Sequence, residues 1–241
     1  MLNDFPYYVA IFFALITSLT AQLLLLAVKN SNNDEIRKLD KPLFKGILLW
    51  LAIQAFLSML TVYSNDTQSF PPKIILFGIL PTIFLILFLF ATSKGRNFND
   101  SLSIKSLTYL HIVRIPVEIV LYLLFLEKMI PELMTFEGRN FDIIAGISAP
   151  FVAYYCFKST KIKKTFLLIW NGISLCLLMN IIVNALLSAP SPIQQFAFDQ
   201  PNIAILHFPF SWLPTFIVPV VLFSHLVSLR QLLLYKPNEE L

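Results

Sequence analysis

Three ionisable residues, His111, Arg114 and Glu118, lie close together within one long apolar stretch of the chain. Their spacings of three and four residues place the side chains within about 60° of one another on an α-helix. An imidazole, a guanidinium and a carboxylate on one helix face form a polar stripe that can hold a small ligand or exchange a proton. The spacing also predicts an ion pair between Arg114 and Glu118, and such a pair serves equally well to fix helix packing.

The helix that carries this stripe belongs to a chain too apolar for a soluble fold. Of the 241 residues, 57% are apolar and 13% are charged, whereas a soluble domain carries about 25% charged residues. Only helices or closed barrels satisfy the backbone in lipid, and the apolar runs are continuous where barrel strands would alternate. The sequence therefore predicts an all-α integral membrane protein with a single transmembrane domain over residues 1–241.

Seven apolar runs are long enough to cross a bilayer as helices, which takes about 20 residues each. The predicted spans are residues 6–28, 46–64, 73–92, 105–126, 140–157, 165–187 and 209–231. Loops on one side of these spans hold fourteen Lys and Arg residues, and loops on the other side hold three. Because basic residues favour the cytosolic side, the N-terminus is predicted outside and the C-terminus in the cytosol. The predicted location is a cell inner membrane or plasma membrane, crossed by several helices.

Polar residues recur at one depth in several of the predicted spans. Gln22, Gln54, His111, Asn171 and His225 each stand about five to nine residues from the cytosolic end of their span, about 8–14 Å deep. Ionisable groups in lipid are costly, so the charged stripe of the fourth span, which includes His111, is predicted to face the interior of the bundle. They predict one polar layer to which five different helices contribute.

Two further amides, Asn180 and Asn184, stand one turn apart in the outer half of the sixth span, near the predicted depth of Glu118. A ligand site or proton pathway is therefore predicted to run from Glu118 towards the cytosol. Its other members are Arg114, His111 and His225. The alternative interpretation of the amides is hydrogen bonding between helices, worth roughly 0.6 kcal/mol apiece.

Prolines interrupt two of the predicted spans. Pro116 cannot donate a hydrogen bond to the carbonyl of Ile112, so the fourth span is predicted to bend beside its charged stripe. Pro214 and Pro219 interrupt the outer half of the seventh span, a feature typical of helices that build a binding site. A proline in the first turn of a helix is harmless, which leaves a purely structural interpretation open for Pro214.

The outer connection over residues 131–150 places charged and amide residues between apolar ones. Glu137, Arg139, Asn140 and Asp142 predict an outer vestibule in which Arg139 pairs with a carboxylate or an anionic ligand. A charged turn that caps the fifth span explains the same residues.

Several kinds of chemistry lack the residues that they need. Cys156 and Cys176 stand inside apolar runs, which excludes a disulfide scaffold and a cysteine metal motif. The three histidines are scattered among different segments, so no metal site is predicted. No cofactor is predicted, and a haem held by His111 and His225 is the one option that their depth allows. The basic residues set membrane orientation and do not indicate nucleic-acid binding.

Three functional hypotheses follow from these residues. In the leading one, the chain binds or transports a small solute or ion, and Glu118 accepts a proton or cation. A variant of this hypothesis couples transport of the solute to movement of a proton. In the second, it is a membrane-embedded enzyme acting on a lipid or lipid-linked substrate at the outer leaflet, with Glu137, Arg139 and Asp142 at its site. In the third, it is an assembly or sensor subunit whose partner is another membrane protein. The leading hypothesis favours a role other than catalysis, with the lipid bilayer and a small ligand as partners.

Overall fold

The structure is a computed structural model that describes residues 7–159 and 162–234. All regular secondary structure in these two ranges is helical. Both chain ends, residues 1–6 and 235–241, lie outside the described residues, and so do Pro6 of the first predicted span and the basic residues Lys161 and Lys236. The predicted sides of the two termini therefore concern residues beyond the described ranges.

The described part of the chain contains ten α-helices, and a short π or 3₁₀ turn directly precedes three of them. The α-helices are α1 (Tyr7–Lys29), α2 (Asp34–Arg37), α3 (Asp40–Met59), α4 (Leu80–Ala91), α5 (Ser93–Ser101), α6 (Ile104–Leu110), α7 (Arg114–Leu126), α8 (Asp142–Phe157), α9 (Lys164–Ser188) and α10 (Val218–Leu234). A π turn at Ile75–Ile79 leads into α4, a 3₁₀ turn at His111–Val113 joins α6 to α7, and a π turn at Leu213–Ile217 leads into α10.

Most of the predicted spans correspond to helices long and apolar enough to cross a membrane. Five continuous helical stretches in the described ranges meet this condition, and a sixth does if Ile75–Ala91 and α5, bent by 92°, form one span. The helix in the predicted span 140–157, α8, is shorter at 16 residues. The fold is thus an all-helical arrangement of apolar helices, which is consistent with a helical membrane protein.

The second and seventh spans lie at other residues than the sequence predicts. The second helix covers Asp40–Met59 instead of 46–64, because Pro42 suits a first helical turn and the chain turns at Thr61, whose φ is 56°. The seventh begins at Leu213 and ends at Leu234 instead of covering 209–231. The chain before Leu213 is occupied by turns whose N–H groups bond to carbonyls three or four residues back.

One end of the bundle, which we call the basic end, contains residues 30–39, 92–103 and 157–159. The Ser103 N–H donates to the Ala27 carbonyl at 3.1 Å, which joins the end of α1 to the start of α6. Arg230 in α10 forms a two-point ion pair with Asp100 in α5 at 2.7 and 2.8 Å. A small apolar cluster that includes Cys156, Leu167 and Leu232 packs the ends of α8, α9 and α10 together.

The other end, here the long-loop end, holds residues 60–74, 127–133 and 189–212. The Ile203 and Ala204 N–H groups donate to the Met129 carbonyl at 3.0 and 3.1 Å. Tyr63, Ile74, Ala189, Ile205 and Leu206 form a buried cluster there. Contacts at both ends therefore tie together loops that are distant in sequence.

Helix α8 is short because the chain before it folds into the bundle. Sixteen residues span about 24 Å, less than the roughly 30 Å of a hydrocarbon core. Met134, Thr135 and Asn140 of the preceding segment are at most 1% exposed. Irregular backbone at membrane depth is tolerated only where it is buried in protein, and these three residues meet that condition.

The surface and interior have the polarity expected of a protein in an apolar medium. Large apolar side chains lie exposed along the helices, such as Phe84, Phe88 and Phe151. Polar side chains such as Gln54 and Asn171 are fully buried. The polar residues therefore pair with one another inside the bundle.

Two side chains of α3 bond to carbonyls that prolines leave free. Pro81 and Pro219 have no N–H to donate to the carbonyls four residues earlier, those of Phe77 and Thr215. Gln54 Nε2 donates to the Phe77 carbonyl at 3.1 Å, and the indole Nε1 of Trp50 donates to the Thr215 carbonyl at 2.9 Å. Helix α3 thereby holds both π turns in place.

We expect Trp50→Phe to lower stability by about 1–3 kcal/mol, because the Thr215 carbonyl then loses its indole donor, and Pro219 has no N–H to offer in its place. The matched control is Trp212→Phe, which removes a 3.0 Å indole bond to the Leu51 carbonyl. That carbonyl lies inside α3 and keeps its bond to the N–H four residues later. Thermal unfolding in detergent would show a larger loss for Trp50→Phe. Equal losses would contradict the role given to Pro219.

Candidate functional site

The charged stripe lies at a break in the middle of the fourth span. The helix tightens to a 3₁₀ turn at His111–Val113 and resumes at Arg114. Pro116 cannot donate to the Ile112 carbonyl, so the regular hydrogen-bond ladder is interrupted at this level. His111, Arg114 and Glu118 are each at most 3% exposed. The sequence prediction that these residues face the interior agrees with their burial.

Arg114 is surrounded by groups from three other helices. Its Nη1 lies 3.2 Å from Oδ1 of Asp142 at the start of α8, as an ion pair outside hydrogen-bond angles. Its two terminal nitrogens also donate to the Ser174 carbonyl in α9 at 3.3 and 3.4 Å. Nη2 lies 3.0 Å from Nε2 of His225 in α10. The ion pair predicted with Glu118 is thus replaced by one with Asp142, whose segment folds inward to the level of Arg114.

Glu118 has one satisfied oxygen and one free oxygen. Asn140 Nδ2 donates to Oε1 at 2.5 Å and also to the Met134 carbonyl at 3.1 Å. The Asp142 N–H donates to Asn140 Oδ1 at 3.0 Å, which fixes the amide. Oε2 of Glu118 has no hydrogen-bond partner in the described part of the chain, although the residue is 2% exposed. A buried carboxyl oxygen without a partner is costly and indicates a place for a proton or a ligand.

The two histidines adopt defined tautomers. Arginine only donates, so His225 Nε2 accepts from Arg114, and Nδ1 donates to Asn171 Oδ1 at 2.8 Å. Ser224 Oγ donates its one hydrogen to the Val221 carbonyl at 2.8 Å and so accepts from His111 Nε2 at 3.1 Å. His225 is therefore neutral, and His111 carries a hydrogen on Nε2, whereas its buried Nδ1 has no partner among the described residues.

The same two rings stack on each other. Their centroids are 3.9 Å apart with an interplanar angle of 23°, and Trp170 packs edge-on against His111 at 5.4 Å. Ligation of one haem by two histidines requires both rings to point at the iron from opposite sides. The stacked rings leave no space between them for a porphyrin. Among the described residues, no group of three or more His, Cys, Asp or Glu is placed to hold a metal ion.

A cavity of about 230 Å³ leads from the long-loop end to the two carboxyl groups. Glu118 and Asp142 line its inner end, and Asp66 and Lys73 line it near the loops, where they form a 3.7 Å ion pair. Most of the remaining wall is apolar, with residues such as Val117, Leu121, Leu178, Ile181, Leu213 and Leu222. Glu118, whose buried Oε2 has no hydrogen-bond partner among the described residues, is therefore one of the residues that line a largely apolar cavity.

The residues predicted as an outer vestibule divide into two groups. Asn140 and Asp142 are buried against Glu118 and Arg114, whereas Glu137 and Arg139 are exposed. The reason is Gly138, where an added Cβ would collide with the Glu132 backbone, so the chain turns tightly and folds inward. The set proposed for lipid chemistry, Glu137, Arg139 and Asp142, is consequently split between surface and interior.

The two outer amides of α9 contact the loop more than the charged cluster. Asn180 is exposed, and its Nδ2 donates to the Arg139 carbonyl at 2.7 Å. Asn184 Nδ2 donates to Asn180 Oδ1 at 3.3 Å. Both amides anchor the inward-folding segment to α9.

Only part of the predicted polar layer comes together. His111, Asn171 and His225 meet beside Arg114. Gln54 instead bonds near the π turn of α4, and Gln22 is exposed and bonds Ser18 at 3.4 Å. Equal depth does not specify which way a side chain points around its helix, and this explains the difference.

Gly146 is a site residue that sequence reasoning missed. A Cβ at this position in α8 would lie 3.0 Å from Ile115 N and Cγ1 and 3.1 Å from Arg114 Cβ. The glycine therefore lets α8 approach α7 at the level where Asp142 meets Arg114. Small residues are common where membrane helices contact each other closely. A glycine within the predicted fifth span is therefore the signal that could have identified this position.

We expect Gly146→Leu to destabilise the protein by about 1–3 kcal/mol or more, because the added side chain must push α8 away from Arg114. Gly172→Leu is a matched control, since a Cβ at Gly172 in α9 meets nothing within 4 Å. Thermal unfolding of both variants in the same detergent checks this. A loss as large for Gly172→Leu would show that the close approach is not the cause.

Comparison with known families gives a match over most of the chain. A family model described as Domain of unknown function (DUF8737) matches residues 71–233, which is more than half of the chain. The matched range contains the charged cluster and both histidines, whereas α1 to α3 precede it. Comparisons with curated proteins and with solved structures found no match.

Proposed function

We propose a function from the site itself for this chain, which belongs to the family Domain of unknown function (DUF8737). The chain binds a small solute in the cavity that ends at Glu118, and it carries that solute across or into the membrane together with exchange of a proton. Glu118 is the group that holds the proton or the solute. The observation that carries this proposal is a buried carboxyl group, that of Glu118, which has an unpartnered oxygen and belongs to a residue lining the cavity.

We place the site in a protein of seven spans, with the long-loop end outside and the basic end in the cytosol. Support for seven comes from α8, whose ends contact Arg114 at mid-depth and the basic end, with the inward-folding segment completing the crossing. Support for the orientation comes from the concentration of Lys and Arg at the basic end. With this orientation the cavity opens to the outer side of the membrane. The membrane in this proposal is a cell inner membrane or a plasma membrane.

A charge count supports a proton at this site. The charged groups that face Glu118 are Arg114 on its own helix and Asp142 on α8. His225 on α10 is neutral by its hydrogen bonds, and a second proton on His111 would be a buried charge without a partner. Two carboxylates and one guanidinium would leave one uncompensated negative charge in a buried region, which is expensive. The Asp142 carboxylate is the one in contact with Arg114. Glu118 is therefore the carboxyl that carries a proton when the cavity holds no cation.

The neighbouring residues have distinct roles in this proposal. Asn140 orients the carboxyl of Glu118, and Asp142 compensates Arg114. His225 and Asn171 extend the hydrogen-bonded chain from Arg114 to α9. His111, with a buried Nδ1 that has no partner among the described residues, adds an acceptor on the basic side of Arg114. In this proposal the imidazoles of His111 and His225 exchange protons towards the cytosolic side, whereas the hydrogen bond of Glu118 itself is with Asn140.

Dicyclohexylcarbodiimide tests the proposal, because this apolar reagent adds to protonated carboxyl groups that it reaches through an apolar environment. We expect the detergent-purified protein to take up one label, mapped by mass spectrometry to Glu118. Labelling should fall as the pH is raised, because the carboxylate does not react.

Two variants give the matched comparison. Glu118→Gln keeps the shape of the side chain and should abolish the label, whereas Glu127→Gln, at the exposed end of α7, should keep it. Each variant is first shown to elute as one species in detergent. A wild-type protein that takes up no label at Glu118 at any pH would refute the proposed function.

A further inference from the structure

The charges around the cavity select the kind of solute. Its charged lining residues among those described are Asp66, Lys73, Glu118 and Asp142. Lys73 is the one cation in this set, and it stands near the loops in contact with Asp66 at 3.7 Å. The inner end thus presents two carboxyl groups and no basic side chain to a molecule in the cavity.

Arg114 is not available to bind an anion in this cavity. It is absent from the lining residues, and its terminal nitrogens are directed at Asp142, the Ser174 carbonyl and His225. An anionic solute at the inner end would therefore face the Glu118 and Asp142 carboxyl groups without a compensating donor. A cation would instead meet the carboxyl group of Glu118, which lines the cavity and has an oxygen without a hydrogen-bond partner among the described residues.

We propose that the solute is a small lipophilic monocation, such as an organic amine, which binds at Glu118 in exchange for the proton that Glu118 carries. This inference rests on the proposed function and names its substrate class. The balance is one for one: the cation enters, the O–H bond of Glu118 breaks, and one proton leaves to water. The cluster keeps the same net charge before and after, so neither state buries an uncompensated charge.

The wall and size of the cavity describe the rest of the solute. The surface between the two charged ends is apolar, so a hydrophilic amine would lose its hydration without replacement. A volume of about 230 Å³ suits a molecule with one ring and a short charged group. An inorganic cation such as Na⁺ would need several oxygen ligands, which this wall does not supply.

Benzyltrimethylammonium is the probe that tests the inference. It is apolar except for its permanent charge, and it has no proton to release, so any proton released on binding comes from the protein. Neopentylbenzene has the same shape without the charge, and benzenesulfonate has the opposite charge. Each is added to the purified protein at equal free concentration in the same detergent.

Two readouts are measured, protection of Glu118 from dicyclohexylcarbodiimide and proton release in a weakly buffered solution. We expect benzyltrimethylammonium to protect Glu118 and to release about one proton per bound cation, as the exchange requires. Glu118→Gln should release none. Neopentylbenzene and benzenesulfonate should protect at least about tenfold less at equal concentration, which corresponds to 1.4 kcal/mol of charge preference.

The outcomes separate the inference from the proposed function. If neopentylbenzene protected Glu118 as well as benzyltrimethylammonium does, or if benzenesulfonate protected it better, a cation would be the wrong class of solute. Labelling of Glu118 in the absence of any probe would still support the site. Binding of the cation without proton release would overturn the exchange. If the carbodiimide did not label the wild type even before any probe is added, the proposed function itself would be refuted.

Discussion

Arg114→Met is expected to lower the stability of the protein by about 3–5 kcal/mol, the largest effect among single substitutions considered for this fold. The change leaves the buried Asp142 carboxylate without its guanidinium and His225 Nε2 without its donor. The Ser174 carbonyl loses two donated bonds but keeps its bond within α9. Removing one member of a buried pair costs more than the pair contributed, because the remaining charge stays desolvated. Thermal or chemical unfolding in detergent gives the measurement.

The exposed pair of Arg230 with Asp100 supplies the matched control. It also joins an Arg to an Asp between helices, at 2.7 Å, but its side chains are 27% and 36% exposed. Arg230→Met should therefore cost about 0–1 kcal/mol. Arg114→Met combined with Asp142→Asn should recover much of the loss, since the unpaired charge is gone. A cost for Arg114→Met no greater than that of Arg230→Met would contradict the ion pair.

Asp142→Asn is expected to suppress carbodiimide labelling of Glu118 at least about tenfold at neutral pH, although Glu118 itself is unchanged. Once Asp142 is neutral, Glu118 is the remaining carboxylate near Arg114 and must be ionised to compensate it. Each tenfold change in the protonated fraction corresponds to about 1.4 kcal/mol, less than the cost of leaving Arg114 unpaired. Labelling followed by peptide mapping measures the effect.

The control for this prediction is Asp100→Asn, which neutralises an aspartate at the basic end that lies outside the cavity lining. Its labelling at Glu118 should match the wild type. If Asp142→Asn were labelled as strongly as the wild type, the two carboxyl groups would not share one compensating charge, and the charge count at the site would be wrong.

The class of fold follows from elementary properties of the sequence. Continuous apolar runs and scarce charge predict membrane helices, and the described helices have the required length and apolar surface in five or six cases. The bend between α4 and α5 was not predicted, because the polar residues 93–101 resemble an ordinary loop. Thr92 there accepts a bond from the Gly95 N–H and begins a separate short helix.

The charged stripe was predictable because helical periodicity and the cost of buried charge both act within one helix. His111, Arg114 and Glu118 are buried at one break in the fourth span, as their spacing predicts. The contact between His111 and His225 was not predictable in the same way, because the sequence gives only the similar depth of the two residues. Which rotation each helix adopts depends on packing between helices, and a single sequence carries little information on it.

The partner of Arg114 could not be predicted from local spacing. Glu118 is one turn away, but Asp142 reaches Arg114 from a segment that looks like an external loop in the sequence. That segment folds inward because Gly138 permits a tight turn and Gly146 permits close contact of α8 with α7. Both effects depend on three-dimensional contacts between residues far apart in the chain.

The protonation of Glu118 is the central claim, and infrared difference spectroscopy measures it most directly. Spectra of the wild type minus Glu118→Gln at neutral pH should contain the carbonyl stretching band of a protonated, weakly hydrogen-bonded carboxylic acid. Addition of benzyltrimethylammonium should replace that band with the paired bands of a carboxylate. A difference spectrum that contains carboxylate bands alone before any cation is added would contradict the claim.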